Sequence, residues 1–305
     1  MRNGSWDVII VGGGPAGLSA ALTLGRCRRR VLVCDAGRHR NRASRHVHCL
    51  LTREGISPAE LIALAHKELS HYDGVQLRSA TVVDADQVED GFTITLEDGT
   101  REHGRKLLLA TGVVDELPAI PGIEQLYGRS VHHCPYCDAW EWRDHALAVY
   151  GRGEKGAGLA LMLRQWSADV VLVTDGPCEL DARYRERLTF HGIDLREDPI
   201  ARLEGTPEGF LERIVFANGT KLERNALFFN TGQHQRSPLA AKLGCEFSDK
   251  GGVEAHEHQV ATTVPGLYVA GDASRDVQLV AVALAEGAKA AFAINKALLE
   301  EQGLG

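Results

Sequence analysis

Short apolar runs alternate along the chain with glycine-rich turns and with segments of helical composition. The first run covers residues 7–11, a glycine turn follows at 12–17, and a helical segment extends to Gly25. A second apolar run at 31–34 ends in Asp35. Continuous runs of β-branched residues are typical of parallel strands that are covered on both faces. The order strand, turn, helix, strand therefore predicts one compact β-α-β unit at the beginning of the chain.

The same arrangement returns in the middle of the chain. An apolar run at 146–150 leads into a glycine turn at 151–156, and a helix is expected as far as about Ser167. A further apolar run at 169–174 ends at Asp175. This repeat predicts a second β-α-β unit and places the chain in the α/β class.

Other segments complete the predicted elements. Residues 58–72 have a helical pattern. Short alternating runs over 75–110 predict a small antiparallel meander, which closes in a buried strand at 106–112. A last strand is predicted over 265–272, before an alanine-rich helix over 278–299.

Length and charge narrow the function classes. The chain has 305 residues, enough for about two domains. It carries 34 Lys and Arg against 41 Asp and Glu, and this charge of −7 gives no electrostatic footprint for nucleic acid or an anionic membrane. The apolar segment 8–25 is interrupted by five glycines and a proline, which argues against a signal peptide. We therefore expect a cytoplasmic protein with neither nucleic acid nor a membrane as its partner.

The first glycine turn has the spacing of a dinucleotide-binding motif. Gly12 permits the tight turn, Gly14 lets the backbone approach a pyrophosphate, and Gly17 lets the helix pack closely on the strand. The phosphates then lie at the helix N-terminus, where N–H groups favour an anion. Asp35 is placed to accept hydrogen bonds from ribose hydroxyls.

The second turn repeats the spacing with Gly151, Gly153 and Gly156, and Asp175 stands where Asp35 does in the first unit. An acid at that position repels a 2′-phosphate, so it argues against NADP. Gly176 follows and supplies no cation. The alternative is a domain that keeps the fold and binds no dinucleotide.

Cys134 and Cys137 form a C-x-x-C pair, which can close a disulfide and exchange two electrons. A zinc site that includes His132 or His133 lacks a fourth ligand at the usual spacing, so no metal is expected. Haem attachment requires His where Asp138 stands. The tetrapeptide also resembles a glutaredoxin centre. Its position between two dinucleotide-binding units, however, does not fit a glutaredoxin, in which the centre lies near the start of a small domain. A pair of inert thiols is the remaining alternative.

Asp138 is placed to give a proton to a leaving thiolate, and a solvated acid or a helix cap is the alternative. Trp140 and Trp142 follow it, and either shape the site or pack in the core. The remaining cysteines are scattered and are expected to be small buried residues: Cys27, Cys34, Cys49, Cys178 and Cys245.

Together with residues 110–112 and 266–272, the order of these motifs resembles the low-molecular-weight thioredoxin reductases, class II pyridine nucleotide-disulfide oxidoreductases, over about residues 5–300. The resemblance implies two Rossmann-like, three-layer dinucleotide-binding domains. A discontinuous FAD domain would comprise 1–116 and 246–305. An inserted NAD(P)-type domain, 117–245, would carry the cysteine pair. The family is usually homodimeric.

The resemblance also implies roles for individual residues. Cys137 would face the flavin, Cys134 would attack an external disulfide, and Asp138 would act as the acid. The external partner would be a thioredoxin-like protein or a small disulfide or dithiol. The residues that would bind FAD are Gly12, Gly14, Pro15, Ala16, Gly17, Asp35, Ala36, Thr111, Gly112, Gly271, Asp272 and Gln278.

The sequence departs from this family's pattern where NADPH would bind. Members that use NADPH carry His-Arg-Arg where Thr174-Asp-Gly-Pro177 stands here, and Val277 replaces the usual Arg before Gln278. Residues 40–48 replace the glycine-rich flavin loop. These departures resemble relatives that pass dithiol electrons to oxygen, such as the fungal dithiol oxidases, or take electrons from ferredoxin.

The sequence therefore leaves alternatives for the activity and for the ligand of the second dinucleotide site. We expect a flavin-dependent disulfide or dithiol oxidoreductase that is not driven by NADPH. An NAD(P)H-dependent thioredoxin reductase and a non-catalytic flavin redox sensor are the alternatives. The second dinucleotide site would be empty, or would hold NAD(H) or a second FAD.

Overall fold

A computed structural model describes residues 5–256, 260–274 and 277–304. A mixed β-sheet and a parallel β-sheet, with helices beside them, make up most of the molecule. In chain order the elements are β1 (Trp6–Val11), α1 (Pro15–Arg26), β2 (Val31–Asp35), a 3₁₀ helix (Arg40–Ala43), α2 (Pro58–Leu69), β3 (Val75–Ser79), β4 (Val82–Val88), β5 (Gly91–Leu96), β6 (Arg101–Leu109), β7 (Val113–Asp115), α3 (Ile123–Leu126), β8 (Val131–His132), α4 (Pro135–Asp138), β9 (Leu147–Tyr150), α5 (Gly153–Leu163), β10 (Val170–Val173), α6 (Ala182–Phe190), β11 (Asp194–Arg196), β12 (Ile200–Gly205), β13 (Leu211–Phe216), β14 (Lys221–Glu223), β15 (Ala226–Phe229), β16 (Gln233–Gln235), α7 (Leu239–Lys242), β17 (Leu267–Val269), a second 3₁₀ helix (Asp272–Ser274) and α8 (Val280–Glu301).

The first sheet has seven strands in the order β3-β2-β1-β6-β5-β4, and β17 pairs with β6. The apolar run of β1 is buried on both faces because its side chains alternate between two cores. Val8 and Ile10 pack with helices α1 and α8 on one face. Ile9 and Val11 pack on the other face, toward β5 and α7. The result is a three-layer arrangement around the first glycine turn.

The second sheet has five parallel strands in the order β11-β10-β9-β15-β8. Leu147 and Val149 of β9 face a core with α5, and Ala148 faces a core with the antiparallel sheet β12-β13-β14. The predicted α/β class with two Rossmann-like units is therefore confirmed. Strands β7 and β16 lie where the chain passes between the two sheets, and they pair antiparallel.

The meander predicted over 75–110 is wrong for its first strand. β3 pairs in parallel with β2, with Leu77 opposite Val33, and only β4, β5 and β6 are antiparallel. The half-exposed alternation of an edge strand does not encode its direction. Helix α2, which connects β2 to β3, sets that direction because a crossover helix returns the chain parallel.

Some helix ends also differ from the sequence expectation. Helix α2 ends at Leu69, α5 ends at Leu163, and α8 begins at Val280. The predictions extended α2 and α5 into the turns that follow these helices, because the turn residues continue the helical composition of the sequence. Within the described ranges, no helix has both the length and the apolar character needed to cross a bilayer.

The close packing of α1 on α8 depends on Gly287, and it generates the first prediction. A Cβ at this position would overlap the backbone carbonyl of Ala16. Gly287→Ala should therefore destabilise the protein by about 1–3 kcal/mol, although Ala is the better helix former. The free energy of unfolding in urea measures the effect.

The matched control is Gly158→Ala in α5, where a Cβ would meet no atom within 4 Å. This variant should be neutral or more stable by up to about 1 kcal/mol. If the two variants shifted the urea midpoint equally, the proposed packing constraint at Gly287 would be wrong.

Candidate active site

A cavity of about 640 Å³ lies at the carboxyl ends of the strands in the first sheet. This volume is in the range of small-molecule and cofactor sites. Of the residues predicted to form the site, Gly17 and Cys134 are not in its lining. Those that the structure brings together in the lining are Gly12, Gly14, Pro15, Ala16, Asp35, Ala36, Thr111, Gly112, Cys137, Asp138, Gly271, Asp272 and Gln278.

The first glycine turn has the geometry expected for an anion site. Gly12 has φ +113°, and a Cβ there would overlap the carbonyl oxygen of Ala110. A Cβ on Gly17 would overlap the carbonyl oxygen of Gly12. A Cβ on Gly14, in contrast, would meet nothing within 4 Å. The turn is thus closed against the protein and open toward the cavity, where the N-terminus of α1 favours a negatively charged group.

Arginine side chains add positive charge to the cavity. Arg38 and Arg236 line the cavity. Burial, followed by repulsion from Arg42 and Arg38, lowers the pKa of Arg236. Like charges that repel one another at a cavity wall favour an anionic ligand between them.

Asp35 lies at the end of β2, as the sequence predicts, and is held as a carboxylate. Burial opposes its ionisation, but the ring of His39, 3.0 Å away, and the N–H of Gly37 at 3.1 Å hold the pKa of Asp35 below its usual value. A hydrogen-bonded carboxylate at this place can accept ribose hydroxyls.

Arg40 was not identified as a site residue from the sequence. Its guanidinium is buried, with the side chain only 13% exposed. It donates to Asp115 at 2.5 and 2.9 Å, to Asp272 at 2.8 Å, to Gln278 at 2.7 Å and to Gln233 at 3.0 Å. Burial acts against its charge, but the two carboxylates raise the pKa of Arg40 above its ordinary value. Arg40 therefore ties the wall of the cavity to both strands of the β7–β16 pair.

Tyr127 and His133 extend this network toward the cysteine pair. The Tyr127 hydroxyl donates to Asp115 at 2.9 Å and lies 3.3 Å from Nδ1 of His133. Burial and the nearby Asp115 carboxylate raise the pKa of Tyr127. Burial lowers the pKa of His133, although Asp115 opposes this shift. His133 is thus held neutral beside Cys134.

Cys134 and Cys137 form a disulfide at the start of α4, with their Cα atoms 5.3 Å apart. Cys137 lines the cavity. The two sulfurs are therefore bonded to each other, and Cys137 lines the same cavity as Asp272 and Gln278. No group of three or more His, Cys, Asp or Glu that could hold a metal ion occurs among the residues that the structure describes.

Two of the remaining cysteines are exposed, contrary to the expectation that all are buried. Cys27 caps the exposed end of α1. Cys49 lies in a loop with φ +58° and donates to the carbonyl of Tyr136 at 3.4 Å, between the two redox cysteines. Burial and the carboxylates of Glu54 and Glu141 raise the pKa of Cys49, so it is a protonated thiol at neutral pH.

Asp138 follows Cys137 on α4, and a buried histidine lies beside it. Nδ1 of His132 is 3.4 Å from Oδ1 of Asp138, and Nε2 of His132 accepts a hydrogen bond from the Trp142 indole at 3.0 Å. Trp140 is 63% exposed and stacks against Arg143 instead. The two tryptophans thus have different roles, one inside the network and one at the surface.

The second glycine turn folds like the first, but the polar side chains around it form hydrogen bonds with the neighbouring backbone. The Arg152 guanidinium donates to the carbonyl of Thr174 at 2.8 Å and to that of Asp175. The Asp175 carboxylate accepts from the backbone N–H of Ile200 at 2.6 Å. Asp175 therefore holds the second domain's own loops together.

The N–H groups at the start of α5 are engaged as well. The N–H of Gly153 donates to Sγ of Cys178 at 3.1 Å. A Cβ on Gly151 would lie 2.8 Å from Cα of Gly156, so the tight turn itself is preserved. An approaching phosphate would have to displace the Cys178 contact.

Comparison with known proteins agrees with this arrangement. The family model for pyridine nucleotide-disulphide oxidoreductases matches residues 6–287. The chain belongs to this family. It is 30% identical to a probable thioredoxin reductase of Arthroderma benhamiae over 328 residues, which cover 97% of this chain and 81% of that one. It is 33% identical to thioredoxin reductase tcpT of Claviceps purpurea, covering 87% and 86% of the two chains.

A solved structure supports the same assignment. The putative thioredoxin reductase TrxB from Bacillus anthracis is 32% identical and superposes with a TM-score of 0.92, covering 97% of this chain and 99% of that one. The resemblance inferred from the sequence is confirmed, and the protein is an oxidoreductase enzyme of thioredoxin reductase-like fold.

This family membership implies an FAD cofactor, and the residues present fit one. The open backbone at Gly14 and the arginines beside it suit a diphosphate, and Asp35 suits a ribose. The cavity continues from there to Gln278 and Cys137, so a ligand that fills it reaches the disulfide.

The Arg40 network generates the second prediction. Arg40→Met leaves the carboxylates of Asp115 and Asp272 buried without their cation, which should cost about 3–5 kcal/mol of stability at neutral pH. In the wild type, the lowered pKa of Asp115 means that its ionised form stabilises the fold above pH ~4, and this contribution is lost on further acidification. In the variant, burial raises that pKa without the guanidinium to oppose it, and the Tyr127 hydrogen bond and His133 remain as the influences that lower it.

The difference in unfolding free energy between wild type and Arg40→Met should therefore shrink as pH falls below about 4. Urea titrations at several pH values measure it. Arg53→Met is the control, because Arg53 is exposed and donates to the adjacent carbonyl of Thr52. A pH-independent loss in Arg40→Met would show that packing, and not charge, is what Arg40 supplies.

Proposed function

We propose that the protein is an FAD-dependent disulfide/dithiol oxidoreductase of the thioredoxin reductase type, not driven by NADPH. Electrons pass between FAD in the cavity, the Cys134–Cys137 pair and an external disulfide or dithiol. One observation carries this proposal: Cys137 and Asp138 line the same cavity as the open glycine turn. A redox-active pair and a dinucleotide site that share one cavity suit direct electron transfer.

The cavity residues are assigned to the parts of FAD by their chemistry. The turn from Gly12 to Gly17 and the N-terminus of α1 hold the diphosphate, and Asp35 and Ala36 hold the ribose. When bound, FAD exchanges two electrons, the number that one disulfide requires. Pro15, Ala16, Thr111, Gly112, Gly271, Asp272 and Gln278 line the remainder.

The two cysteines have different roles in this proposal. Cys137, which lines the cavity, is the sulfur on the cofactor side. Cys134, which does not line it, exchanges with the external partner. When an external thiolate attacks Cys134, the Cys134–Cys137 bond breaks, a mixed disulfide forms, and Cys137 leaves as a thiolate that Asp138 can protonate. A second external thiol then releases Cys134 and completes the external disulfide.

The contacts of the second glycine turn support a donor other than NADPH. Arg152 is bonded to the backbone of Thr174 and Asp175, and Gly153 is bonded to Cys178. The acid at 175 and the lack of a basic cluster at 174–177 disfavour a 2′-phosphate. We propose that Gly151, Gly153, Gly156 and Asp175 preserve a fold whose nucleotide site is empty or holds NAD(H) or a second FAD. Ferredoxin and an external dithiol are the donors that suit this arrangement.

Partners and organisation follow from the relatives. Since the relatives are named thioredoxin reductases, a thioredoxin-like protein or a small disulfide or dithiol is the proposed substrate. The same names favour an NAD(P)H-dependent thioredoxin reductase as the second candidate. We further propose a cytoplasmic homodimer with an FAD domain at 1–116 and 246–305 and an inserted domain at 117–245.

The third prediction tests the role of the pair. Cys134→Ser should retain the yellow cofactor but lose disulfide or dithiol turnover by more than about a hundredfold, because the exchanging sulfur is gone. Cys137→Ser should lose turnover equally. Turnover is measured with a dithiol and with a thioredoxin-like disulfide.

Cys49→Ser is the matched control, since Cys49 contacts the backbone of the pair but is outside the proposed exchange. It should keep turnover within about twofold. Full activity in Cys134→Ser would refute the proposed function, and a loss in all three variants would point to a general effect of thiol removal.

A further inference from the structure

The Trp142–His132–Asp138 arrangement is not used by the function proposed so far. Trp142 is a hydrogen-bond donor only, since its indole nitrogen has no lone pair to accept with. Its Nε1 lies 3.0 Å from Nε2 of His132, which must therefore be the unprotonated acceptor nitrogen. The indole thus selects one tautomer of the His132 ring.

In that tautomer the proton of the neutral ring is on Nδ1, the nitrogen that lies 3.4 Å from Oδ1 of Asp138. The ring is fixed in place because His132 is only 5% exposed and packs against Phe228, with the ring centroids 5.4 Å apart. His132 and Asp138 both line the cofactor cavity, whereas Trp142 lies behind them.

We propose that His132, oriented by Trp142, is a positioning residue that holds the carboxyl group of Asp138 toward the redox pair and stabilises the negative charge that Asp138 acquires during the exchange. The inference rests on the proposed function, in which Asp138 exchanges a proton with the sulfur of Cys137. Protonating Nε2 would place two N–H groups against each other and break the indole hydrogen bond.

The proton balance defines what His132 contributes. When an external thiolate opens the disulfide, the proton of Asp138 moves to the departing sulfur of Cys137, which becomes a thiol. Asp138 then carries the negative charge that the attacking thiolate brought in. The Nδ1–H of His132 stabilises that charge where it develops. In the reverse direction Asp138 takes the proton back from the thiol as the disulfide re-forms.

Other titrating groups surround these residues, and a pH profile reports on all of them. Asp138 acts electrostatically on His133 and Tyr127, and His132 acts on His133. The ring of His145 contacts Trp142 at 6.2 Å between centroids. The groups to be considered in the profile are therefore Asp115, Tyr127, His133, His145 and the constant charge of Arg40.

The fourth prediction compares two replacements of His132 in the holoenzyme. His132→Asn keeps a side-chain N–H near the place of Nδ1 but loses the ring. His132→Phe keeps an aromatic ring against Phe228 but loses the donor. We expect His132→Phe to lose between about tenfold and about a hundredfold in dithiol-dependent turnover, with the acid limb of its pH profile moved to higher pH. His132→Asn should stay within about threefold of wild type.

Trp142→Phe tests the orienting contact, with Trp140→Phe as its matched control at the surface. Imidazole ¹⁵N spectra of histidine-labelled protein, with His132 assigned by its loss in His132→Asn, should show the Nδ1–H tautomer in wild type and Trp140→Phe. In Trp142→Phe we expect a mixture of tautomers and the same direction of pH shift as in His132→Phe. This spectrum does not depend on turnover.

The results distinguish a failure of the inference about His132 from a failure of the proposed function. If His132→Phe is the more active of the two His132 variants, the ring acts by packing and the inference is wrong. An Nε2–H tautomer in wild type overturns it equally. The proposed function has its own test, which is the turnover of Cys134→Ser and Asp138→Asn. If these variants turn over as fast as the wild type, the proposed function fails, whatever the spectrum of His132 shows.

Discussion

The site depends on one buried cation, the guanidinium of Arg40, held between the carboxylates of Asp115 and Asp272. Asp115 lies on β7, at the passage between the two sheets, and Asp272 lies beyond β17 at the floor of the cavity. Only the planar fork of an arginine can bond two carboxylates and two amides at once. Without that charge, two acids would share a buried site, and their mutual repulsion would act on the walls of the cavity.

The same hydrogen-bond network extends from the cavity toward the cysteine pair. Asp115 also accepts from Tyr127, and Tyr127 contacts His133, the residue before Cys134. Cys137 and Asp138, on the short helix α4, also line the cavity. Hydrogen bonds therefore connect the cavity wall, the link between the sheets and His133, the residue before the redox pair. A change in the charge of any member acts on the others, because the interior screens charges far less than water does.

The local features of the fold could be predicted from the sequence. The spacing of Gly12 and Gly17 predicts a tight turn, and the turn is present: Gly12 has a positive φ, and a Cβ on either residue would overlap a backbone carbonyl oxygen. Strand direction at β3 and the exposure of Cys49 could not be predicted, because they depend on a crossover helix and on a loop packed against α4.

The contacts of Arg40 and the His132–Trp142 hydrogen bond could not be predicted for a related reason. Arg40 meets a partner 232 positions away in sequence, and no local pattern marks such a contact. The one sequence feature that marked Arg40 was its place in residues 40–48, which replace the glycine-rich flavin loop of the family. His132 was considered only as a metal ligand, and its real neighbour, Trp142, is ten positions further along the chain.

The central claim is that dithiols, and not pyridine nucleotides, exchange electrons with the cofactor. An anaerobic titration of the purified holoprotein tests it most directly, with flavin absorbance followed as NADPH, then NADH, then a dithiol is added. The account predicts no bleaching by either nucleotide and bleaching by the dithiol. Prompt, stoichiometric bleaching by NADPH or NADH would contradict it.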